Sequence, residues 1–528
     1  MLRIALWAVY AAAGAVLVAW MFMGPFHLIQ PVSNPLNAEG VLALSFLLLT
    51  LCRRDAPSRE APGTTRSTTV ISVSAVLMCT GLAFVPALDN PLLHDAYTHV
   101  TSAATQTWAG LVHSVVAHPT GGDEFFRPLG YFTYWLDAKW AGTNPIAWNL
   151  WNLGLHLVNT CLVWALARRL SRGVMCATVA ALLFGLHGAR PEVVAWVGAR
   201  FDLLATFFVL AALLALNVFV DTGATHWYGV LAFCAFCSFL SKESAYCLPL
   251  LALLLIPFHD PTARRRILSG AALIAAVCVV VLAYRTWFLG GIGGYKTETG
   301  TPFIFIFNPI LTIKALLFRQ WAILLFPVNW SAASLILKWA VLLMVIVAAA
   351  FPLASTASRK HLVTSLLWVI AAALPVQHML LVGPDLNGAR VLYLPVLGMA
   401  LFWGFLAEGC HARVARVLLP SGLLLFQVTA LEHNLAMWRS VALLAQRTCN
   451  QMGTELSRDP RSVTVRGLPA TWQGVYFLRN GFQQCVAMNT GQPMSRISLQ
   501  EGNPKATPGV RLFSWNNLTE RLEEIDGR

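Results

Sequence analysis

The chain has 528 residues, of which 57% are hydrophobic and only 12% are charged, and its formal net charge is +13. About a quarter of the residues of a soluble globular protein are charged, so this composition excludes that class and predicts a polytopic membrane protein. Most of the Arg and Lys residues lie between apolar runs. This placement favours a role in setting the orientation of membrane spans over a role in binding nucleic acid.

Thirteen apolar runs predict an all-α protein with about 13 transmembrane helices. They lie near residues 4–23, 39–52, 69–88, 148–167, 174–188, 202–220, 227–240, 245–258, 268–286, 332–352, 361–381, 391–408 and 414–431. The first run is too long for the apolar core of a secretory signal, so we interpret it as a retained span.

The distribution of basic residues predicts the orientation of these spans. With a cytoplasmic N-terminus, the inner loops hold fifteen Arg or Lys residues and the short outer loops hold four. This bias is the positive-inside pattern, and an odd number of spans places the C-terminus outside. We therefore expect an integral protein of a bacterial inner membrane, with a cytoplasmic N-terminus and an extracytoplasmic C-terminus.

Two outer loops and a polar tail complete the expected organisation. Residues 1–431 form the predicted transmembrane domain, with a first outer loop at 89–147 and a second at 287–331. The second loop contains an apolar stretch, 308–327, that predicts an interfacial or re-entrant helix. Residues 432–528 are less apolar and predict a small extracytoplasmic α+β region.

Within this C-terminal region, alternating apolar residues predict short strands near 462–466 and 474–478. Cys449 and Cys485 could form a disulfide in an oxidising compartment.

The first outer loop concentrates polar residues that are capable of chemistry. Asp95 follows the third span closely, and a carboxylate shielded by apolar walls can act as a general base; a solvated loop acid or a helix N-cap is the alternative. Asp89 has the same alternatives. Asp123 and Glu124 precede Arg127, whose planar fork suits a phosphate, although a local salt bridge is an equally good interpretation.

Further polar residues occur at the outer ends of later spans. Asn152 and His156 lie four residues apart and share a helix face, which predicts either helix–helix hydrogen bonds or a site. Lys242 and Glu243 separate two runs that are too short to span a bilayer upright, so we expect them in a cavity below the membrane surface. The remaining outer-face residues of interest are Glu192, Arg200, Asp202 and Arg390.

Taken in order, these motifs resemble the membrane region of the transmembrane and TPR-containing O-mannosyltransferases and their bacterial relatives in the GT-C superfamily. The resemblance covers about residues 85–440. It rests on the Asp-bearing loop, FRPL (126–129), N-x-x-x-H (152–156), ARPEVVAWVGARFDLLA (189–205), SKES (241–244), GARVLYLP (388–395) and HNLAMW (433–438). The family usually has paired acids where this chain has His94 and Asp95.

The resemblance implies an inverting transfer of a sugar from a polyprenyl-phosphate donor, held in the lipid bilayer, to an extracytoplasmic acceptor of unknown identity. It implies Asp95 as the catalytic base. The other expected roles are supporting acids (Asp89, Asp123, Glu124), donor phosphate binding (Arg127, Arg200, Lys242, Arg390) and orientation of these groups (His94, Asn152, His156, Glu192, Asp202, Glu243). No cofactor is assigned, and a divalent metal is optional. A lipid-linked glycan transporter or flippase, and an O-antigen ligase-like or polymerase-like enzyme, are the alternatives.

Overall fold

The computed structural model describes residues 1–27, 31–53, 66–116, 125–294, 308–500 and 509–525. The expected supporting acids Asp123 and Glu124 lie outside the described residues.

The described residues form mostly α-helices. In chain order these are α1 (Leu2–Met23), α2 (Pro35–Leu51), α3 (Arg66–Phe84), α4 (Ala96–Thr105), α5 (Trp108–Val116), α6 (Pro128–Ala141), α7 (Pro145–Ser171), α8 (Val174–Gly185), α9 (Pro191–Val194), α10 (Arg200–Thr222), α11 (His226–Ser241), α12 (Leu248–Leu253), α13 (Arg264–Phe288), α14 (Pro309–Lys314), α15 (Gln320–Leu325), α16 (Leu335–Ala354), α17 (Arg359–Ala373), α18 (Val396–Glu408), α19 (Arg413–Arg458) and α20 (Phe482–Thr490).

The prediction of a helical, polytopic membrane protein is confirmed. In the described part of the chain, eight helical segments are long and apolar enough to cross a membrane, and five shorter apolar helices accompany them. Each predicted run coincides with one of these segments, whereas the number of helices that actually span the bilayer stays a prediction.

Local sequence explains where the helices begin and end. The side chain of Asn144 accepts a hydrogen bond from the backbone N–H of Ile146 and caps α7, whose first residue is Pro145. Such a start satisfies amide groups that have no partner within the helix. At the C-terminal end of α10, Gly223 adopts a φ of 70°, a left-handed conformation that glycine reaches without strain.

Loops predicted to lie on the same side of the membrane contact each other. Arg169 and Asp221, from two predicted inner loops, form an ion pair at 2.8 Å. Asp89 and Arg439, both predicted outside, form another at 3.2 Å. These contacts agree with the predicted grouping of the loops, while the side that faces the cytoplasm stays a prediction.

The apolar stretch in the second outer loop is helical. It comprises α14, a wider helical turn at Ala315–Arg319, and α15, whose residues are all buried. Gly40 of α2 makes room for this segment, because a Cβ atom at Gly40 would lie 2.6 Å from the ring of Phe318. Its predicted interfacial or re-entrant position in a membrane stays a prediction.

The C-terminal region is α+β, as predicted. Its strands are β3 (Val463–Arg466), β4 (Thr471–Trp472), β5 (Val475–Tyr476), β6 (Ile497–Gln500), β7 (Arg511–Asn516) and β8 (Arg521–Ile525), while β1 (Phe26–His27) and β2 (Pro31–Val32) pair after α1. The main sheet has the order β6-β3-β7-β8, with β3 parallel to both neighbours and β7 antiparallel to β8. A disulfide between Cys449 and Cys485 joins α19 to α20.

Candidate functional site

The backbone around Asp95 is held in a fixed position at the predicted outer face. The side-chain amide of Asn149 donates to the carbonyls of Leu88 and Asn90, at 3.1 and 3.0 Å. His94 adopts a φ of 51°, the left-handed region that is uncommon for a residue with a side chain. Asp95 then precedes α4, but its carboxylate makes no capping hydrogen bond, so the N-cap interpretation does not account for this side chain.

The Asp95 carboxylate lies between two imidazoles. Its Oδ1 is 3.7 Å from Nδ1 of His94, and its Oδ2 is 3.8 Å from Nε2 of His99. A Cβ atom at Gly198 would lie only 2.4 Å from Oδ1, so the absence of a side chain there makes room for the carboxylate. The side chain is 32% exposed, and Oδ1 is buried without a hydrogen-bond partner among the described residues. A buried polar atom without a partner is a place where a ligand can bind.

The charge state of Asp95 follows from these neighbours. Burial alone would raise its pKa, but the imidazoles of His94 and His99 and the guanidinium of Arg390 together hold the pKa below the ordinary value for an aspartate. The carboxylate is therefore ionised at neutral pH.

Arg127 forms one end of a charged cluster. Its Nε and Nη2 donate to Oε2 of Glu243 at 3.0 and 2.7 Å, and Nη2 of Arg285 donates to the other carboxylate oxygen at 3.3 Å. The guanidinium of Arg127 also lies 4.3 Å from the ring centroid of Phe125. Beside this cluster, Lys242 pairs with Asp202, with 2.5 Å between Nζ and Oδ2.

Arg390 is held by an acid and by a tyrosine from the C-terminal region. Its Nη1 lies 2.5 Å from Oε1 of Glu192 and 2.6 Å from the hydroxyl of Tyr476. The ring of Tyr476 stacks on Trp196 at 4.8 Å and lies 5.1 Å from the ring of His94. The β4–β5 hairpin therefore contributes directly to the surroundings of the first outer loop.

Two cavities meet at this cluster. One, of about 430 Å³, is lined by His99, by polar side chains such as Gln106, and by the aromatic rings of α6. The other, of about 480 Å³, is lined mainly by apolar atoms, with Lys242 and Glu243 in its wall. Phe125 and Arg127 line both cavities. An apolar space with cations in its wall can accommodate an amphipathic anion.

Arg200 and Asn152 lie in an enclosed network. Arg200 pairs with Asp137, its Nε donates to Oδ1 of Asn152 at 2.9 Å, and its Nη2 donates to the carbonyl of Trp148 at 3.2 Å. The Arg200 side chain is only 1% exposed. These contacts connect α6 and α7 to the start of α10, so Arg200 positions these helices. The predicted role of Arg200 in binding phosphate stays a prediction.

The other predicted residues lie in two different environments. His156 is fully buried, with Nδ1 2.8 Å from the hydroxyl of Tyr393 and Nε2 3.0 Å from the carbonyl of Gly185. Asp89, by contrast, has a 60% exposed side chain paired with Arg439. Among the residues that the structure describes, no group of three or more His, Cys, Asp or Glu side chains could hold a metal ion.

Three residues of this region were missed by sequence reasoning. His99 lies one helical turn after Asp95 in HDAYTHV, so its spacing was a usable signal. Arg285 ends an apolar run and gave no signal beyond its charge. Tyr476 comes from a segment that is 86 residues beyond its partner Arg390, and no spacing rule connects them.

The chain is similar to part of several protein O-mannosyl-transferases. It is 28% identical over 152 residues to one from Caenorhabditis elegans, covering 27% of this chain and 21% of that protein. It is 34% identical over 99 residues to protein O-mannosyl-transferase TMTC1 of Homo sapiens, covering 19% and 11%. The matches thus span only 21% and 11% of these two relatives, and they confirm the resemblance predicted from the motifs. No family model matches the chain.

Two solved structures are also similar. ArnT from Cupriavidus metallidurans bound to undecaprenyl phosphate has a TM-score of 0.41 and 15% identity, over 86% of this chain and 94% of that one. Arabinosyltransferase EmbB from Mycobacterium smegmatis has a TM-score of 0.31 and 13% identity, over 76% and 44%.

Proposed function

We propose that this chain is a GT-C-type membrane glycosyltransferase that moves a sugar from a polyprenyl-phosphate donor to a hydroxyl group at the extracytoplasmic face. The observation that carries the proposal is the junction at Arg127, where a cavity beside the Asp95–His99 pair meets an apolar cavity with cations in its wall. The partial similarity to protein O-mannosyl-transferases supports the same reaction class and makes mannose the first sugar to test.

The reaction needs a group that deprotonates or orients the acceptor hydroxyl, and Asp95 is suited to this role. It is ionised at neutral pH, because its basic neighbours hold its pKa below the ordinary value, and one of its oxygens has no partner in the described residues. The acceptor oxygen attacks the anomeric carbon on the side opposite the phosphate, so the configuration at that carbon is inverted.

The reaction also needs positive charge at the leaving phosphate. The cations of the cluster are Arg127, Lys242, Arg285 and Arg390, and they face the three carboxylates of Glu192, Asp202 and Glu243. Negative charge grows on the phosphate as the glycosidic bond breaks, and fixed cations in a poorly hydrated site stabilise that charge. The apolar part of the larger cavity would take the first isoprene units of the carrier.

Two features support an extracytoplasmic location for this site. The bias of basic residues places the Asp95 loop and the C-terminal region on the outer side. The Cys449–Cys485 disulfide lies in that C-terminal region, and disulfides form and persist in oxidising compartments.

The test uses purified protein in detergent with polyprenyl-phosphate mannose, glucose and galactose, each with and without simple glycoside acceptors. Release of free polyprenyl phosphate is measured by mass spectrometry. We expect release from at least one donor, and a loss of about a hundredfold or more in Asp95→Asn, the range found for general bases. Asp221→Asn is the matched control, because Asp221 is an exposed acid paired with Arg169 in a predicted inner loop.

Carrier phosphate release, measured together with donor transport in liposomes, separates the alternatives. A transporter or flippase would move a labelled donor across a liposome membrane without releasing carrier phosphate. An O-antigen ligase-like enzyme relies on outer-loop Arg and His residues, so it would release carrier phosphate in Asp95→Asn as fast as in the wild type. Either result contradicts the proposal.

A further inference from the structure

His99 lies next to Asp95 and also lines one of the two cavities. His99 lies one turn along α4, with Nε2 3.8 Å from Oδ2 of Asp95. His99 lines the cavity of about 430 Å³, and Asp95 is not among its lining residues. A distance of 3.8 Å exceeds a normal hydrogen bond, but catalytic pairs are often loose before substrate binds and tighten in the complex.

The surroundings of the ring fix its plane and leave one nitrogen unused. His99 stacks on Tyr134, with 5.0 Å between centroids and 21° between planes, and lies 5.9 Å from the ring of Phe201. In the described part of the chain, the one polar contact of the imidazole is with Asp95 through Nε2. Nδ1 therefore makes no polar contact with the described residues.

We infer that His99 takes the proton from the acceptor hydroxyl, while Asp95 behind it orients the ring and stabilises the imidazolium that forms. This inference rests on the proposed function and assigns the cavity of about 430 Å³ to the acceptor. The bond from the acceptor oxygen to the anomeric carbon forms as the bond from that carbon to the phosphate oxygen breaks. The electron pair of the broken bond stays on the carrier phosphate, and the hydroxyl proton moves to Nδ1 of His99 and later to water.

The side chains that line the cavity agree with its assignment to the acceptor. Tyr131 and Trp135 offer ring faces, and Thr98, Ser102 and Gln106 offer hydrogen-bonding groups on the same cavity wall as His99. Sites for small molecules commonly combine such aromatic faces with a few placed polar groups. We therefore expect the acceptor to present a sugar hydroxyl to His99.

The charge state of His99 supports the role of proton acceptor. Burial lowers the pKa of His99, and the positive charges of Arg127, His94 and Arg200 lower it further. The carboxylate of Asp95 opposes this effect, but the net result is a pKa below the ordinary value for histidine. Among the residues that the structure describes, the phenols of Tyr131 and Tyr134 also face the ring. The imidazole is thus neutral at pH 7 and able to accept a proton.

The test is the pH dependence of carrier phosphate release between pH 4.5 and 9, using the best polyprenyl-phosphate hexose from the donor panel and a methyl glycoside acceptor. In the wild type, we expect the rate to fall tenfold per pH unit below a midpoint under about 6.5, the ordinary pKa of histidine. Asp95 titrates below this range, and the His99→Gln variant shows whether the decline comes from the imidazole.

Two variants and a control make the test decisive. We expect His99→Gln to lower the rate at pH 7.5 about a hundredfold or more and to abolish the decline at low pH. We expect added imidazole to restore part of the rate in His99→Ala, which a misfolded protein would not show. His226→Gln, an exposed histidine at the start of α11, should retain the wild-type rate and pH profile.

The outcomes distinguish this inference from the proposed function. If the wild type transfers sugar and His99→Gln keeps its rate and its decline at low pH, the inference is wrong and Asp95 is left as the direct base. If His99→Ala is folded but imidazole restores nothing, the inference is also overturned. If the wild type releases no carrier phosphate from any donor, the proposed function fails, and the inference fails with it.

Discussion

Removing the Lys242–Asp202 pair in two stages separates a structural role from a role in ligand binding. The two charged atoms lie 2.5 Å apart, and the side chains are only 12% and 5% exposed. Asp202→Asn leaves the ammonium group without its carboxylate, and breaking a buried pair in this way typically lowers the unfolding free energy by about 3–5 kcal/mol. The double variant Lys242→Met, Asp202→Leu removes both charges, and such replacements are often neutral or stabilising.

If Lys242 binds the donor phosphate, the double variant should be stable and still defective. A hydrogen bond to a charged group contributes about 1.5–3 kcal/mol, so we expect the KM for the donor to rise about tenfold to a hundredfold. The measurements are the unfolding free energy in mixed detergent micelles and the donor dependence of carrier phosphate release.

The exposed pair of Arg169 and Asp221 provides the control. Its side chains are 40% and 53% exposed, so Arg169→Met, Asp221→Leu should change neither quantity appreciably. A stable Lys242→Met, Asp202→Leu variant with a wild-type KM would refute the reasoning, because the pair would then be structural alone.

Three further changes probe the surroundings of the site. In Gly198→Ala, the new Cβ would lie 2.4 Å from Oδ1 of Asp95, so we expect carrier phosphate release to fall about tenfold to a hundredfold, and an unchanged rate would show that the carboxylate can shift freely. Tyr476→Phe removes the 2.6 Å hydrogen bond to Arg390 and should cost about 1.5–3 kcal/mol of stability, measured by unfolding in mixed micelles; a smaller loss would mean that water replaces the hydroxyl. Cys485→Ser opens a disulfide whose cysteines are 36 residues apart and should cost about 2–4 kcal/mol under oxidising conditions, with no difference from the wild type once both are reduced.

The apolar helices were predictable, because a membrane-spanning helix needs only a continuous run of about 20 apolar residues. The length of α19 could not be predicted in this way. Apolarity falls after about residue 431, yet the helix continues to Arg458. Leu435, Ala442 and Cys449 recur every seven residues and are all buried, so one face of the helix stays apolar while the other turns polar. The decrease in mean hydropathy marked a change of environment and not the end of a helix.

The partners of the charged residues could not be predicted from the sequence. Arg200 has the same residue type and the same predicted side as Arg127, so sequence reasoning gave both the same role. In the structure, Arg200 contacts Asp137, which lies 63 positions earlier in the chain, and is enclosed. Arg127 contacts Glu243 across 116 positions and lines both cavities. The packing of the helices decides which of two equivalent arginines is available to a ligand.

The placement of Arg127 also links the two substrates of the proposed reaction. Its guanidinium lies in the walls of both cavities and is held by Glu243, which in turn contacts Arg285. A donor phosphate in the larger cavity would compete with the Glu243 carboxylate for these guanidinium groups. Because the Arg127 charge lowers the pKa of His99, the added negative charge of a phosphate beside Arg127 would let the pKa of His99 rise. Donor binding would thus make the imidazole a stronger base just when an acceptor hydroxyl has a sugar to attack.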